Sequence, residues 1–182
     1  MLVFRKLRLE DEEAYRIFEA TMLEDKKVNP FVEFNEDVED FEKIVARNAQ
    51  SEIKQEEQAW STYTKYFVFL DEKVVGYLIC FWEMDHPDCQ KLGHIGYMVA
   101  PDFRRQGMAT TFVRFALERY LEKGVSSVLI ATDQDNLPSR GLIEKLGGQL
   151  VALEEIDYQG RKRWSARYQL ETRNEKVFSF TE

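Results

Sequence analysis

The residues with the clearest chemical potential stand together as Arg104, Arg105, Gln106, Gly107, Met108, Ala109 and Thr110. Guanidinium groups bind phosphate through a planar fork of N–H donors. Gly107 has no Cβ, so an anion can approach the backbone closely at that point. An amphipathic run follows at once, with Ala109, Phe112, Val113, Ala116, Leu117, Tyr120 and Leu121 at helical spacing. The first turn of such a helix exposes N–H groups that lack internal partners, at the positive end of its dipole. Together these features suit a pyrophosphate. They also suit an ordinary strand-to-helix turn with a solvated Arg-Arg pair, and spacing alone does not separate the two. Neither G-x-x-x-x-G-K-[ST] nor G-x-G-x-x-G after a strand occurs in the chain.

Such a turn works only if rigid elements hold it. Upstream, His94 to Ala100 is apolar and strand-like, and Pro101 closes it because proline cannot donate to a ladder. Downstream, Lys123 and Gly124 read as the end of the helix. Ser127 to Thr132 is a second short strand, so the unit is a strand–helix–strand crossover, which predicts parallel strands. Asn136 can then cap a helix with Pro138 in its first turn and Leu142, Ile143 and Leu146 on its apolar face. Lys145-Gly147-Gly148 end that helix, and Gln149 to Asp157 and Arg161 to Glu171 form a last hairpin around Tyr158-Gln159-Gly160.

The N-terminal half reads less regularly. Leu2 to Leu9 alternates like a strand, and Asp11-Glu12-Glu13 suit a helix start, with Ala14, Ile17, Phe18, Thr21 and Met22 on one face. Val28-Asn29-Pro30 breaks the pattern. Asn35 is a candidate cap for a second helix carrying Val38, Phe41, Ile44, Val45, Asn48 and Ile53. The acids from Glu33 to Glu42 read as a solvated face, with a cation-recruiting lip as the alternative. Thr62 to Leu70 and Val74 to Trp82 form a hairpin across Asp71-Glu72-Lys73, and Glu83 to Leu92 is a polar loop. From Thr172 the tail is polar apart from Val177, Phe178 and Phe180, which either fray or dock on an apolar patch.

With 182 residues, 44% hydrophobic and 32% charged, the chain has the size and composition of one globular domain. A net charge of −8 without a basic face argues against nucleic acid as a partner. Two cysteines make no disulfide framework, which points to a reducing compartment. No leader-like N-terminus and no membrane-length apolar stretch is seen, so the expected location is cytoplasmic, away from the membrane. Asp85, His86, Cys89 and His94 match no common zinc spacing, and no metal is expected.

Arg104-x-x-Gly107-x-Ala109 resembles the acetyl-CoA signature of the GCN5-related N-acetyltransferases, Q/R-x-x-G-x-G/A. Asn136-x-x-Ser139-x-x-Leu142-x-x-Lys145-Leu146-Gly147 resembles the family's second segment, and the order of elements is the same. The resemblance covers about Met1 to Leu170 and is specific from Gly93 to Gly148. It implies one α/β domain over residues 1–182, with a mixed, mostly antiparallel sheet, a central splayed parallel strand pair and flanking helices. It implies acetyl-CoA as cosubstrate, with direct attack by a primary amine of a small molecule or peptide, and relatives are commonly homodimers. The implied cofactor contacts are Met98, Val99, Arg104, Arg105, Gln106, Gly107, Met108, Ala109, Thr110, Asn136 and Ser139. A backbone N–H near Met98 or Val99 would face the oxygen that gains charge. Glu24 to Trp60 and Glu83 to Leu92 would line the acceptor pocket.

An alkyl ammonium with a pKa of about 10 must lose a proton before it attacks. His94 falls where relatives place a Glu or His, and an unperturbed imidazole suits a base at neutral pH. Glu83 is the next candidate. The family's tyrosine acid falls on Ile143, which cannot donate, leaving Ser139, Tyr158, water or unassisted departure of the thiolate. These departures keep open a different class of function, a non-catalytic acyl-CoA-binding sensor or interaction module.

Overall fold

A computed structural model describes residues 1–158 and 160–173. In chain order the elements are β1 (Val3–Arg5), α1 (Glu12–Lys26), α2 (Phe41–Gln50), β2 (Tyr63–Leu70), β3 (Lys73–Phe81), α3 (Pro87–Leu92) and β4 (Ile95–Val99). Then come α4 (Met108–Glu122), β5 (Ser127–Asp133), α5 (Leu137–Lys145), β6 (Gln149–Tyr158) and β7 (Arg161–Glu171). The strands form two antiparallel sheets, ordered β1-β2-β3-β4 and β5-β7-β6. The architecture is the mixed α/β one expected, with helices flanking both sheets.

The crossover strands β4 and β5 share no ladder among the described residues. The sheets touch where the His94 N–H donates to the Leu129 carbonyl at 2.7 Å, beside a bridge between Gly93 and Ile130. The expected pair is therefore unpaired beyond its first contact, and a cleft opens there.

Two apolar layers hold this arrangement. Helix α4 buries Phe112, Val113, Ala116, Leu117 and Tyr120, and these pack with Leu78, Val128, Ile130, Tyr168 and Leu170 from both sheets. Each of the larger side chains contributes about 1.5–3 kcal/mol when removed from water, so α4 joins the two sheets, whose strands meet only beside Gly93 and Ile130 among the described residues. A Cβ at Gly76 would lie 2.3 Å from the Met98 carbonyl oxygen and 2.7 Å from Phe112 Cε2. Glycine there lets α4 press directly on β3 beside β4. The second layer packs α1 and α2 on the other face, through Tyr15, Phe18, Met22, Phe41 and Ile44 against Phe67, Phe69 and Tyr77.

Several local expectations are corrected. Strand β1 is shorter than Leu2 to Leu9, because Leu9–Asp11 turns as a 3-10 segment with Arg5 paired to Asp11. The buried stripe of α1 is Tyr15, Phe18, Glu19 and Met22, while Ile17 is exposed. Glu19 is tolerated inside because it accepts from the Asp37 N–H at 2.8 Å and from Arg16 at 2.9 Å. Helix α2 starts at Phe41 rather than Asn35, whose side chain accepts from Lys26 instead, and Val38 and Ile53 lie exposed outside it. The segment from Glu83 to Leu92 is not all loop: Pro87 opens α3, capped by His86. Thr172 is buried, its hydroxyl donating to the Val125 and Ser126 carbonyls. Val177, Phe178 and Phe180 lie outside the described residues. Among the described residues, no helix is long and apolar enough to cross a membrane.

Candidate active site

Strand β4 ends at Pro101, and the chain turns through Pro101–Phe103 into α4. Arg105 and Gly107 both take left-handed backbone, with φ of 60° and 78°. That conformation turns the chain sharply enough for α4 to start at Met108, and no side chain caps its N-terminus. The first intrahelical bond is Thr111 N–H to the Gly107 carbonyl at 3.1 Å. The N–H groups of Met108, Ala109 and Thr110 therefore face outward, as helix geometry requires. A Cβ at Gly107 would meet nothing within 4 Å, so the space before these donors is open.

That space continues into a cleft of about 800 Å³ between β4 and β5. Of the residues named from the sequence, Met98, Val99, Arg104, Arg105, Gly107, Met108, Ala109, Thr110, Asn136 and Ser139 line it. Gln106 does not: its side chain folds back to the Asp102 carbonyl at 2.9 Å. Arg104 touches the cleft, but its guanidinium is occupied. Nε donates to the Val99 carbonyl at 2.9 Å, and both Nη groups grip the Asp25 carboxylate of α1. The expectation of two free forks is thus corrected to one, the exposed Arg105, because a partly buried carboxylate within reach claims the other.

Across the cleft, Asn136 caps α5 by accepting the Ser139 N–H at 3.2 Å. This holds Ser139 where its hydroxyl lies 2.7 Å from the Tyr97 hydroxyl of β4. Burial raises the Tyr97 phenol above its ordinary range, so it stays protonated at neutral pH. Ile143, at the position of the missing tyrosine, is fully buried in the core.

Neither base candidate lines the cleft. His94 Nδ1 accepts the Leu129 N–H at 3.0 Å, and the ring lies edge-on to Tyr120 with centroids 5.5 Å apart. A ring nitrogen that accepts an amide N–H has its lone pair engaged and cannot take a substrate proton. Together with the His94 N–H bond to Leu129, the imidazole is a strut joining the sheets. Glu83 is held at the end of β3 by Lys54 and by the Thr62 N–H, and its carboxyl lies below the usual range, chiefly through the Lys54 contact. Glu33, read from the sequence as part of a solvated acidic face, and Asp133 and Arg163, to which the sequence assigned no role, do line the cleft. The signal at Asp133 is an ionisable residue ending a buried strand. Among the described residues, no group of three or more His, Cys, Asp or Glu is arranged to hold a metal ion.

His94→Ala is therefore expected to lower stability by about 1–2 kcal/mol, by stranding a half-buried Leu129 N–H. Burial holds the His94 pKa below 6.5, so the unfolded chain binds the proton more readily than the folded one. The folded state then loses stability as pH falls from the unfolded value through the folded one. In His94→Ala that acid sensitivity should diminish, as melting curves at a series of pH values would show.

Residues 1–149 match the family model described as Acetyltransferase (GNAT) domain. No curated protein matches the chain in sequence. Among solved structures, RimL, a ribosomal L7/L12 α-N-protein acetyltransferase in complex with coenzyme A, is 17% identical with a TM-score of 0.67, over 93% of each chain. The microcin C7 self-immunity acetyltransferase MccE, in complex with acetyl-CoA and AMP, is 18% identical with a TM-score of 0.65, over 93% of this chain and 92% of its own. A GNAT-family acetyltransferase from Bacillus anthracis is 19% identical with a TM-score of 0.68, over 95% of this chain and 96% of its own. At these identities the likeness is one of fold.

Proposed function

The chain belongs to the GNAT family of acetyl-CoA-dependent acetyltransferases, and from that premise we propose that it moves the acetyl group to a primary amine by direct attack. The observation that carries this reading is the uncapped α4 N-terminus, with open space over Gly107, leading into the cleft between the splayed β4 and β5. A cradle of free N–H groups at a helix start fits a pyrophosphate, and the exposed Arg105 adds a cation. The unpaired edges of β4 and β5 offer backbone groups to an extended amide-bearing chain, as an added strand would use them. Asn136 and Ser139 flank the same path.

Acetyl-CoA supplies the thioester that the amine opens. The chain's own part is to orient that group, to take a proton from the ammonium and to meet the charge that develops on oxygen and sulfur. In this reading a backbone N–H near Met98 or Val99 meets the oxygen. Ser139, hydrogen-bonded to a protonated Tyr97, is the group proposed to return a proton to the departing sulfur. It fills the role left open by Ile143.

The acceptor is a small-molecule or peptide amine. RimL, a ribosomal L7/L12 α-N-protein acetyltransferase, supports a peptide among the candidates. Incubation with acetyl-CoA, a panel of amines and peptides, and a thiol reagent tests the proposal. Thiol release that requires an amine is the expected result. Tight acetyl-CoA binding with no release for any acceptor would instead favour the sensor or interaction module, a reading that the displacement of His94 and Glu83 from the cleft keeps in view.

A further inference from the structure

One wall of the cleft carries a charged cluster that neither motif includes. Asp133 ends β5, Arg163 lies on β7, and Glu33 lies on the segment between α1 and α2; all three line the cleft. Asp133 pairs with Ser165 across the ladder, and Arg163 is two residues before Ser165, so strand alternation puts both side chains on one face. Arg163 Nη1 pairs with Glu33, and its Nε lies 3.5 Å from Asp133 Oδ1. The guanidinium also sits over the Tyr158 ring, 5.7 Å from its centroid. Asp133 Oδ1 is buried and accepts no hydrogen bond among the described residues.

Oδ1 is shielded from solvent with Arg163 Nε 3.5 Å away, so it is the 26% of the Asp133 side chain still exposed that an arriving group can meet. Two carboxylates around one guanidinium leave the cluster with net negative charge. An ammonium brings the missing positive charge, with N–H donors for the exposed part of the carboxylate. Glu33 and Asp133 are the two carboxylate residues among those lining the cleft.

We propose that Asp133 receives the acceptor's ammonium and takes its proton, an assignment that rests on the amine-transfer reading above. An ammonium N–H bond breaks, the proton passes to the exposed part of the Asp133 carboxylate, and the electron pair stays on nitrogen. That pair forms the bond to the thioester carbonyl carbon, the C–S bond breaks with its electrons on sulfur, the nitrogen gives up its second proton to solvent to become the amide, and the sulfur takes a proton from solvent, directly or through Ser139, which solvent reprotonates. Asp133 then returns its proton to solvent. Arg163 positions the carboxylate and Glu33 holds Arg163. The charged and titratable groups around Asp133 are Arg163 and Tyr158 from the hairpin, Glu33 from the facing segment and Asp135 from its own turn. Burial pushes the Asp133 carboxyl above the usual carboxylate range, Arg163 opposes this, and Glu33 and Asp135 add to it. That direction brings a carboxylate closer to the working range of a base.

Asp133→Asn keeps the shape and removes the base. With an amine that the wild type acetylates, kcat/KM should fall by about 10²–10⁴-fold and its acidic limb should disappear. Acetyl-CoA affinity, measured by calorimetry, should stay unchanged, and Asp133→Glu should restore part of the rate and the limb. A folded Asp133→Asn protein with wild-type kcat/KM and pH profile would overturn the assignment and leave the transfer reading standing. A wild type that binds acetyl-CoA but releases no thiol with any amine would overturn both. Should the Asn variant not fold, Asp133→Glu alone decides: a shifted limb and lowered kcat at unchanged acetyl-CoA affinity support the role, and a wild-type profile removes it.

Discussion

Gly107→Asn and Gly107→Val should each weaken coenzyme A binding by about a hundredfold or more. The N–H groups of Met108, Ala109 and Thr110 are the proposed seat of the pyrophosphate, and hydrogen bonds to a charged partner contribute about 1.5–3 kcal/mol each. Losing two of them exceeds the 2.8 kcal/mol or so that corresponds to a hundredfold in Kd. A side chain at Gly107 would project into the open space before those donors. The two variants separate blocking from strain. At φ of 78° a β-branched residue is strained, whereas Asn enters the left-handed region readily. Gly107→Val should therefore also melt earlier, while Gly107→Asn should melt near the wild type and still bind poorly. Calorimetric titration of both with coenzyme A reads the result. Wild-type affinity in the folded Asn variant would mean that the anion does not sit over Gly107.

Arg104→Ala is the second large effect, and it should appear in stability. Arg104 ties the turn to the end of α1 through Asp25 and to β4 through the Val99 carbonyl. The Asp25 side chain is only 9% exposed, so removing its partner strands a charge. Breaking a fully buried pair costs about 3–5 kcal/mol. Arg104 is 31% exposed and water screens part of the pair, so about 2–3 kcal/mol is expected here. Chemical denaturation should show it, with Asp25→Asn costing less because its amide can still accept from Arg104. Coenzyme A affinity should fall only as far as the turn loosens. Its salt dependence should be unchanged, because the Arg104 charge is directed at Asp25. Arg105→Ala should do the reverse, with little loss of stability and a weakened salt dependence of binding.

The strand, the turn at Gly107 and helix α4 were legible because their determinants lie within a few residues of one another. Pro101 ends a strand, Gly107 permits a left-handed residue, and Phe112, Val113, Ala116 and Leu117 recur at helical period. Asn136 as the cap of α5 is local in the same way, and the structure bears it out. The faces of α1 and α2 were less legible. Hydrophobicity alone favoured Ile17, Val38 and Ile53, yet what lies opposite a helix decides which side is buried. Glu19 goes inside because the Asp37 N–H and Arg16 meet it there.

The sequence by itself determined the strand, the turn at Gly107, helix α4 and the capped start of α5, since short-range sterics, hydrogen bonding and periodicity specify each of them. Only the tertiary structure decided what the charged and polar side chains do. Arg104 is claimed by Asp25, a residue 79 positions away. His94 is engaged by a backbone N–H of the neighbouring sheet. Arg163 reaches Glu33 across 130 positions, beside Asp133. A titratable group takes its role from the nearest opposite charge or hydrogen-bond partner in space, and chain folding sets that distance independently of separation along the sequence.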